Sequence, residues 1–209
     1  MVSKRYHFGM SDDLPPEELA EFLVHLGRAA RGEDGGASLT PAQWTALRFF
    51  ARANRASRTP SAFASFHATT RGTASQTVKS LETKGYLVRR RSDEDRRSVR
   101  FELTEAGQQM LDRDPLRHLA ESIGRLGAEE RRALGRALPA LAIDLATARG
   151  ANAFGTCGDC RHFSARDGGG HCACVSAELT PEEIGQLCAS FAAGDDPALR
   201  LPEEQKETP

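Results

Sequence analysis

All five cysteines of this 209-residue chain fall between residues 157 and 188. Cys157 and Cys160 form a Cys-x-x-Cys turn, which brings two thiolates within reach of one ligand, and Cys172, Cys174 and Cys188 follow at longer intervals. An odd, clustered set points to metal or redox chemistry rather than to a disulfide framework. Four thiolates close around either a tetrahedral zinc ion or an iron–sulfur cluster. Cys157, Cys160 and Cys188 are expected ligands, and Cys172, Cys174 or both would complete the set. Zinc ribbons pair two Cys-x-x-Cys knuckles, and the second half here has none. His162 and His171 are candidate zinc ligands or plain polar loop residues. A thiolate site open to oxidant is labile, as a sensor requires, whereas a zinc site would serve to fold the segment.

The elements that carry these residues differ from everything upstream. Residues 150–152, Gly-Ala-Asn, read as a linker, and Thr180-Pro181-Glu182-Glu183 opens a short helix leading to Cys188. Before the linker the pattern is helical. Pro15-Pro16-Glu17-Glu18 opens a first helix, with Leu19, Phe22, Leu23 and Leu26 spaced as one buried stripe. Thr40-Pro41 opens a second carrying Trp44, Leu47, Phe49 and Phe50, and Thr59-Pro60 a short third carrying Phe63 and Phe66. A fourth is expected from about Thr73 to Lys84, with Ala74, Val78 and Leu81 inward and Gly85 at its end. Two strand-like runs follow, residues 86–90 and 99–103. The segment from 105 to 149 reads as helix interrupted at Pro115 and near Gly127, with Pro139 expected to kink or restart the last helix. Its stripe, Leu111, Leu116, Leu119, Ile123, Leu126, Leu134, Leu138, Leu141 and Leu145, is longer than one small domain needs.

Net charge hides a partition. The chain is −1 overall, but residues 41–104 hold 13 Lys and Arg against 5 Asp and Glu, leaving 15 and 24 elsewhere. A basic block inside an acidic chain is an electrostatic footprint of nucleic-acid binding. Between the two strand-like runs lies an arginine-dense tip, Arg91 to Arg100, centred on Asp95-Arg96-Arg97. Arginine suits the narrow, electronegative minor groove. The outer face of the fourth helix offers Thr73, Ser75, Gln76, Thr77 and Lys79. A helix fits the major groove, where Gln pairs with adenine and Lys contacts guanine or phosphate. Arg71 is placed to meet phosphate. Ser75 and Thr77 could equally be solvated helix surface.

The string Leu81-Glu82-Thr83-Lys84-Gly85, the arginines after it, Asp95-Arg96-Arg97 and Leu103-Thr104-Glu105-Ala106-Gly107 resemble the MarR family of bacterial transcription regulators over roughly residues 15–149. That resemblance implies a mainly α, winged helix-turn-helix fold with a small β-hairpin wing, dimerised through the first helix and the long helices after residue 105. It implies a homodimer on a near-palindromic double-stranded operator, with Arg97 in the minor groove and Asp95 holding it. The pattern Cys157-x-x-Cys160-x-x-Phe163, Gly170-x-Cys172, Cys188-x-x-Phe191 resembles the small iron–sulfur subunits of benzylsuccinate synthase-type enzymes. That likeness implies a 4Fe–4S centre shielded by Phe163 and Phe191; zinc is the alternative cofactor.

The expected organisation is a tail over 1–14, a winged and dimerisation domain over 15–149, a small Cys-rich module over 150–192 and a tail over 193–209. Mean hydropathy of −0.47 and the lack of a long apolar run or leader pattern predict a cytoplasmic protein with no membrane span. No Gly-rich phosphate loop, Ser-His-Asp set or paired-carboxylate signature stands out, so an enzyme is not expected. The expected function is a regulator, of repressor type, whose operator binding follows the state of the cysteine centre through movement of the long helices. A regulator answering to a small phenolic or lipophilic ligand, with structural zinc, is the other reading.

Overall fold

The computed structural model describes residues 14–30, 39–91 and 99–194. Its elements run α1 (Pro16–Ala29), α2 (Pro41–Arg52), a 3-10 turn (Arg55–Ser57), α3 (Pro60–Phe66), α4 (Arg71–Thr83), β1 (Leu87–Arg91), β2 (Val99–Leu103), α5 (Glu105–Leu111), α6 (Arg117–Gly124) and α7 (Ala128–Ala148). The cysteine segment adds β3 (Gly155–Thr156), β4 (Phe163–Arg166), β5 (Gly169–Cys172), β6 (Ala177–Leu179), α8 (Pro181–Ile184) and β7 (Leu187–Cys188). β1 and β2 pair antiparallel with Leu87 opposite Leu103, making the wing of a winged helix-turn-helix. β4, β5 and β6 form an antiparallel meander, and β3 pairs antiparallel with β7.

The helices start where side-chain oxygens can satisfy their free N–H groups. Thr40 and Gln43 form a reciprocal capping box on α2, Thr59 caps α3, and Thr104 caps α5. Thr70 accepts from the Thr73 N–H, so α4 begins at Arg71, two residues before the start expected from sequence. Gly85 takes φ +77° after α4, the left-handed turn that glycine accepts without strain. α7 runs as one helix through Pro139, so the helix does not restart there. Proline forfeits one N–H bond and crowds the carbonyl four residues back. Here that residue is Gly135.

The core is aromatic and centred on α2. Phe49 sits 5.3 Å from Phe50, 5.6 Å from Phe63 and 5.0 Å from Phe66, ring centre to ring centre. Ala74, Val78 and Leu81 close it from α4, and Leu87 and Phe101 from the wing. Three residues of the C-terminal segment join it: Phe154, 5.2 Å from Phe66, Ala189, and Leu187, buried among the same residues. Arg48 on α2 donates to Asp114 at 2.8 Å, fixing the α5–α6 corner.

The stripe on α1 is not buried within one chain. Leu19, Leu23 and Leu26 are 48%, 46% and 45% exposed, because no other element of the described chain covers them. Leu138, Leu141 and Leu145 of α7 are likewise exposed. No helix among the described residues is long and apolar enough to cross a membrane.

The Leu-Thr-x-x-Gly string has a steric cause. Thr104 donates from its hydroxyl to the Gly85 carbonyl at 2.6 Å and from its N–H to the Tyr86 carbonyl at 3.1 Å. This draws α5 so close to the α4–β1 turn that a Cβ on Gly107 would stand 2.2 Å from the Tyr86 oxygen. Gly107→Ala is expected to destabilise the fold by about 1–3 kcal/mol, the usual cost of overpacking, read as a lowered midpoint in thermal unfolding.

Candidate functional site

The surface of α4 follows from which of its residues the core takes. Burial of Ala74, Val78 and Leu81 turns Arg71, Thr73, Ser75, Gln76 and Lys79 outward, and all five are exposed. Thr77 is half-buried, and its hydroxyl donates to the Thr73 carbonyl at 3.0 Å. The Thr73 hydroxyl lies 2.9 Å from that of Thr70. Arg71 occupies the first turn of α4, beside the positive end of the helix dipole, where a phosphate is also favoured. Gln43, buried on α2, donates to Ser80 at 2.9 Å and accepts from Lys84 at 3.3 Å, which fixes the back of α4 against α2.

Arg91 ends β1, exposed, opposite Val99 of β2. Arg90 pairs with Glu102 across the hairpin at 3.4 Å. Asp95, Arg96 and Arg97 lie outside the described residues. Within them, the wing places Arg89, Arg90 and Arg91 along one strand next to the reading face of α4.

The second candidate site is the cysteine cavity. Cys157, Cys160, Cys172, Cys174 and Cys188 all line one cavity of about 60 Å³, together with Phe163, Val175, Leu179, Glu183 and Asn54. Among the described residues, no group of three or more His, Cys, Asp or Glu stands at spacing that would hold a metal ion as the side chains are placed. The Cys-x-x-Cys turn is closed by backbone bonds, Cys160 N–H to Cys157 O at 3.2 Å and Phe163 N–H to Cys160 O at 3.0 Å. Gly170 lies under the Phe163 ring, where a Cβ would be 2.2 Å from a ring carbon, and so the ring edge is held at the cavity wall.

Cys157 is buried, and Cys188 is half-buried beside it. The two sulfurs share a hydrogen bond, Cys157 donating. That bond and burial push the Cys157 thiol well above the usual range. The same bond, aided by the Ser190 N–H and by Asn54 and Ser57, brings Cys188 down to about 6. The Cys172 charge also acts on Cys157, whereas Cys174 sits exposed in the turn after β5.

Phe191 does not line the cavity as its place in the pattern implied. It is buried against Gly155, where a Cβ would be 2.5 Å from its ring. His162 and His171 are not among the cavity-lining residues. Cys160 bridges to Ala193, so chain placed in the C-terminal tail by sequence is held at the site. Asn54, Arg55, Ser57 and Glu183 border or touch the cysteines and were not singled out from sequence. Asn54-x-x-Ser57 is legible as a capping pattern, but its approach to residues a hundred positions away leaves no local signal.

No curated protein matches the chain in sequence. Among solved structures it is similar to MarR, at 24% identity over 68% of this chain and 98% of that one with a TM-score of 0.49. Streptococcus pneumoniae FabT in complex with DNA is similar at 24% identity, 63% and 95% coverage and a TM-score of 0.47. A MarR family protein from Bacillus stearothermophilus is similar at 22% identity, 62% and 89% coverage and a TM-score of 0.46. Residues 37–98, the stretch that holds α2, α3, α4 and β1, match the model of the MarR family, and all five cysteines lie beyond that match.

Proposed function

We propose that this chain is a DNA-binding transcriptional regulator of the MarR type, acting as a repressor, whose operator affinity follows the state of its cysteine site. The observation that carries the DNA-binding half is the outward face of α4, polar and cationic at Arg71, Thr73, Ser75, Gln76 and Lys79, beside an arginine-bearing hairpin. In this reading Gln76 and Lys79 reach base edges in the major groove, while Arg71 and Arg91 meet phosphate. Ser75, Thr73 and Thr77 add polar contacts. Arg97, with Arg96, enters the minor groove, and Asp95 holds its guanidinium. The exposed leucines of α1 and α7 favour a homodimer, which sets two reading helices on a near-palindromic operator.

The cysteine half rests on five thiols lining one cavity. Cys157, Cys160, Cys172 and Cys188 would hold a 4Fe–4S cluster, with Cys174 as the alternative to Cys172. Such a cluster, when bound, supplies a charge and a redox state that respond to oxidant or iron supply. The chain's own part is to donate hydrogen bonds to sulfur from the Ser190 N–H, Asn54 and Ser57, and to set the Phe163 ring at the cavity wall. A structural zinc in the same cysteines is the alternative. It accompanies a second reading, in which the input is an apolar small molecule. A cavity of about 300 Å³ lined by Phe49, Phe66, Leu116, Leu119, Arg48 and Leu187 favours that reading.

Arg97→Ala and Gln76→Ala are each expected to weaken operator binding by about 1–3 kcal/mol at matched salt, with Gln76→Ala also relaxing specificity. Mobility-shift titrations check both, and unchanged affinity in both variants would overturn the interface. Protein purified without oxygen is expected to be brown, with a broad visible band and bound iron. Cys157→Ser and Cys188→Ser are expected to lose the band. A colourless protein with stoichiometric zinc and no iron would support the alternative.

A further inference from the structure

The turn between α2 and α3 reaches into the cysteine cavity. Asn54 lines it, and its Nδ2 donates to the Cys157 sulfur at 3.7 Å. Ser57 accepts from the Ala189 N–H at 2.8 Å, which sets its hydroxyl beside Cys188, whose thiol it helps to lower. The Asn54 N–H donates to the Leu187 carbonyl at 2.8 Å, and Ala53 bridges to Leu187 in parallel. Both polar side chains are buried, Asn54 at 7% and Ser57 at 2% exposure. Capping accounts for only one atom of this set: Asn54 Oδ1 accepts the Ser57 N–H at 2.9 Å. The Nδ2 bond to sulfur and the placement of the hydroxyl beside Cys188 have no capping role, yet they satisfy groups that would be costly to bury unpaired.

The other side of the same turn faces the DNA-reading elements. Arg58 donates from Nε to the Ala53 carbonyl at 2.9 Å, and its own carbonyl accepts the Phe101 N–H of β2 at 2.8 Å. α3 begins at Pro60, directly after Thr59. A hydrogen-bonded path therefore runs from the two sulfurs, through Asn54 and Ser57, to the wing strand and to the start of the helix-turn-helix.

We propose that Asn54 and Ser57 complete the sulfur site from the winged part of the chain, as positioning residues, and that this turn transmits the state of the sulfurs to the wing and to α3. The inference rests on the cysteine cavity being the sensing site proposed above, and it names the route that site uses. An anionic or metal-bound thiolate accepts N–H and O–H bonds strongly, whereas a neutral or alkylated sulfur accepts them weakly. A change at sulfur therefore changes the restraint on residues 54–58 without any movement of the long helices.

The test uses Asn54→Asp, which keeps the capping oxygen and removes the N–H donor, and Ser57→Ala, which removes the hydroxyl. Operator affinity is measured by fluorescence anisotropy on full-length protein purified without oxygen, before and after EDTA removes the metal. Metal content and thermal midpoint are recorded for each form. For the wild type the two forms are expected to differ by ~10-fold in Kd, and for either variant at wild-type metal content by less than ~3-fold. A variant with full metal content and an undiminished difference overturns the inference. Wild-type protein holding neither iron nor zinc would overturn the metal reading alone. The route is then read by comparing reduced and iodoacetamide-treated protein. A shift in Kd in the wild type that both variants lose supports the inference, and equal affinities in the wild type overturn it.

Discussion

The anchoring of the turn after α2 is the constraint on which the rest of the structure depends. Its backbone is held from two directions, by Leu187 of the C-terminal segment and by Phe101 of the wing. A turn pinned on one side only would leave either the wing or the cysteine segment to find its own place. Pinned on both, it makes the aromatic core of α2 a common floor. Phe49 packs against α3, and through Phe66 and Phe154 the same cluster receives the chain arriving from α7. The position of the cysteines is thus a consequence of aromatic packing more than of any bond among the cysteines themselves.

The reading face of α4 is defined from within in the same way. Three small or branched apolar residues enter the core and Gln43 fixes the back of the helix, so the polar residues between them have only solvent or a ligand to face. The hairpin is held to α5 by Thr104 and the close approach of Gly107 to Tyr86. The exposed leucines of α1 and α7 are the opposite case, an apolar surface with no partner inside the described chain.

Much of the winged part was legible because its signals are local. A Thr-Pro pair announces a helix start, a glycine after Lys84 announces its end, and alternating residues on either side of the arginines announce a hairpin. Where sequence reading went astray, the missing information was relational. The two-residue error at the start of α4 reflects a cap, Thr70, competing with the threonine at 73. The α1 stripe has the period of a buried face, but period alone does not say which chain supplies the cover.

From the residues alone came the helix order, the wing, the basic block, the cysteine cluster and the match of their types to DNA and metal chemistry. Those depend on propensity, charge and short-range spacing, which a chain carries wherever it goes. Only the tertiary structure decided that Phe163 lines the cavity while Phe191 packs against Gly155. Only it decided that Cys157 and Cys188 come together as a pair, which lowers the Cys188 thiol, and that Asn54 and Ser57 stand against sulfurs more than a hundred residues away. Such contacts join surfaces that become neighbours when the aromatic core closes, and no local pattern encodes which distant surface arrives.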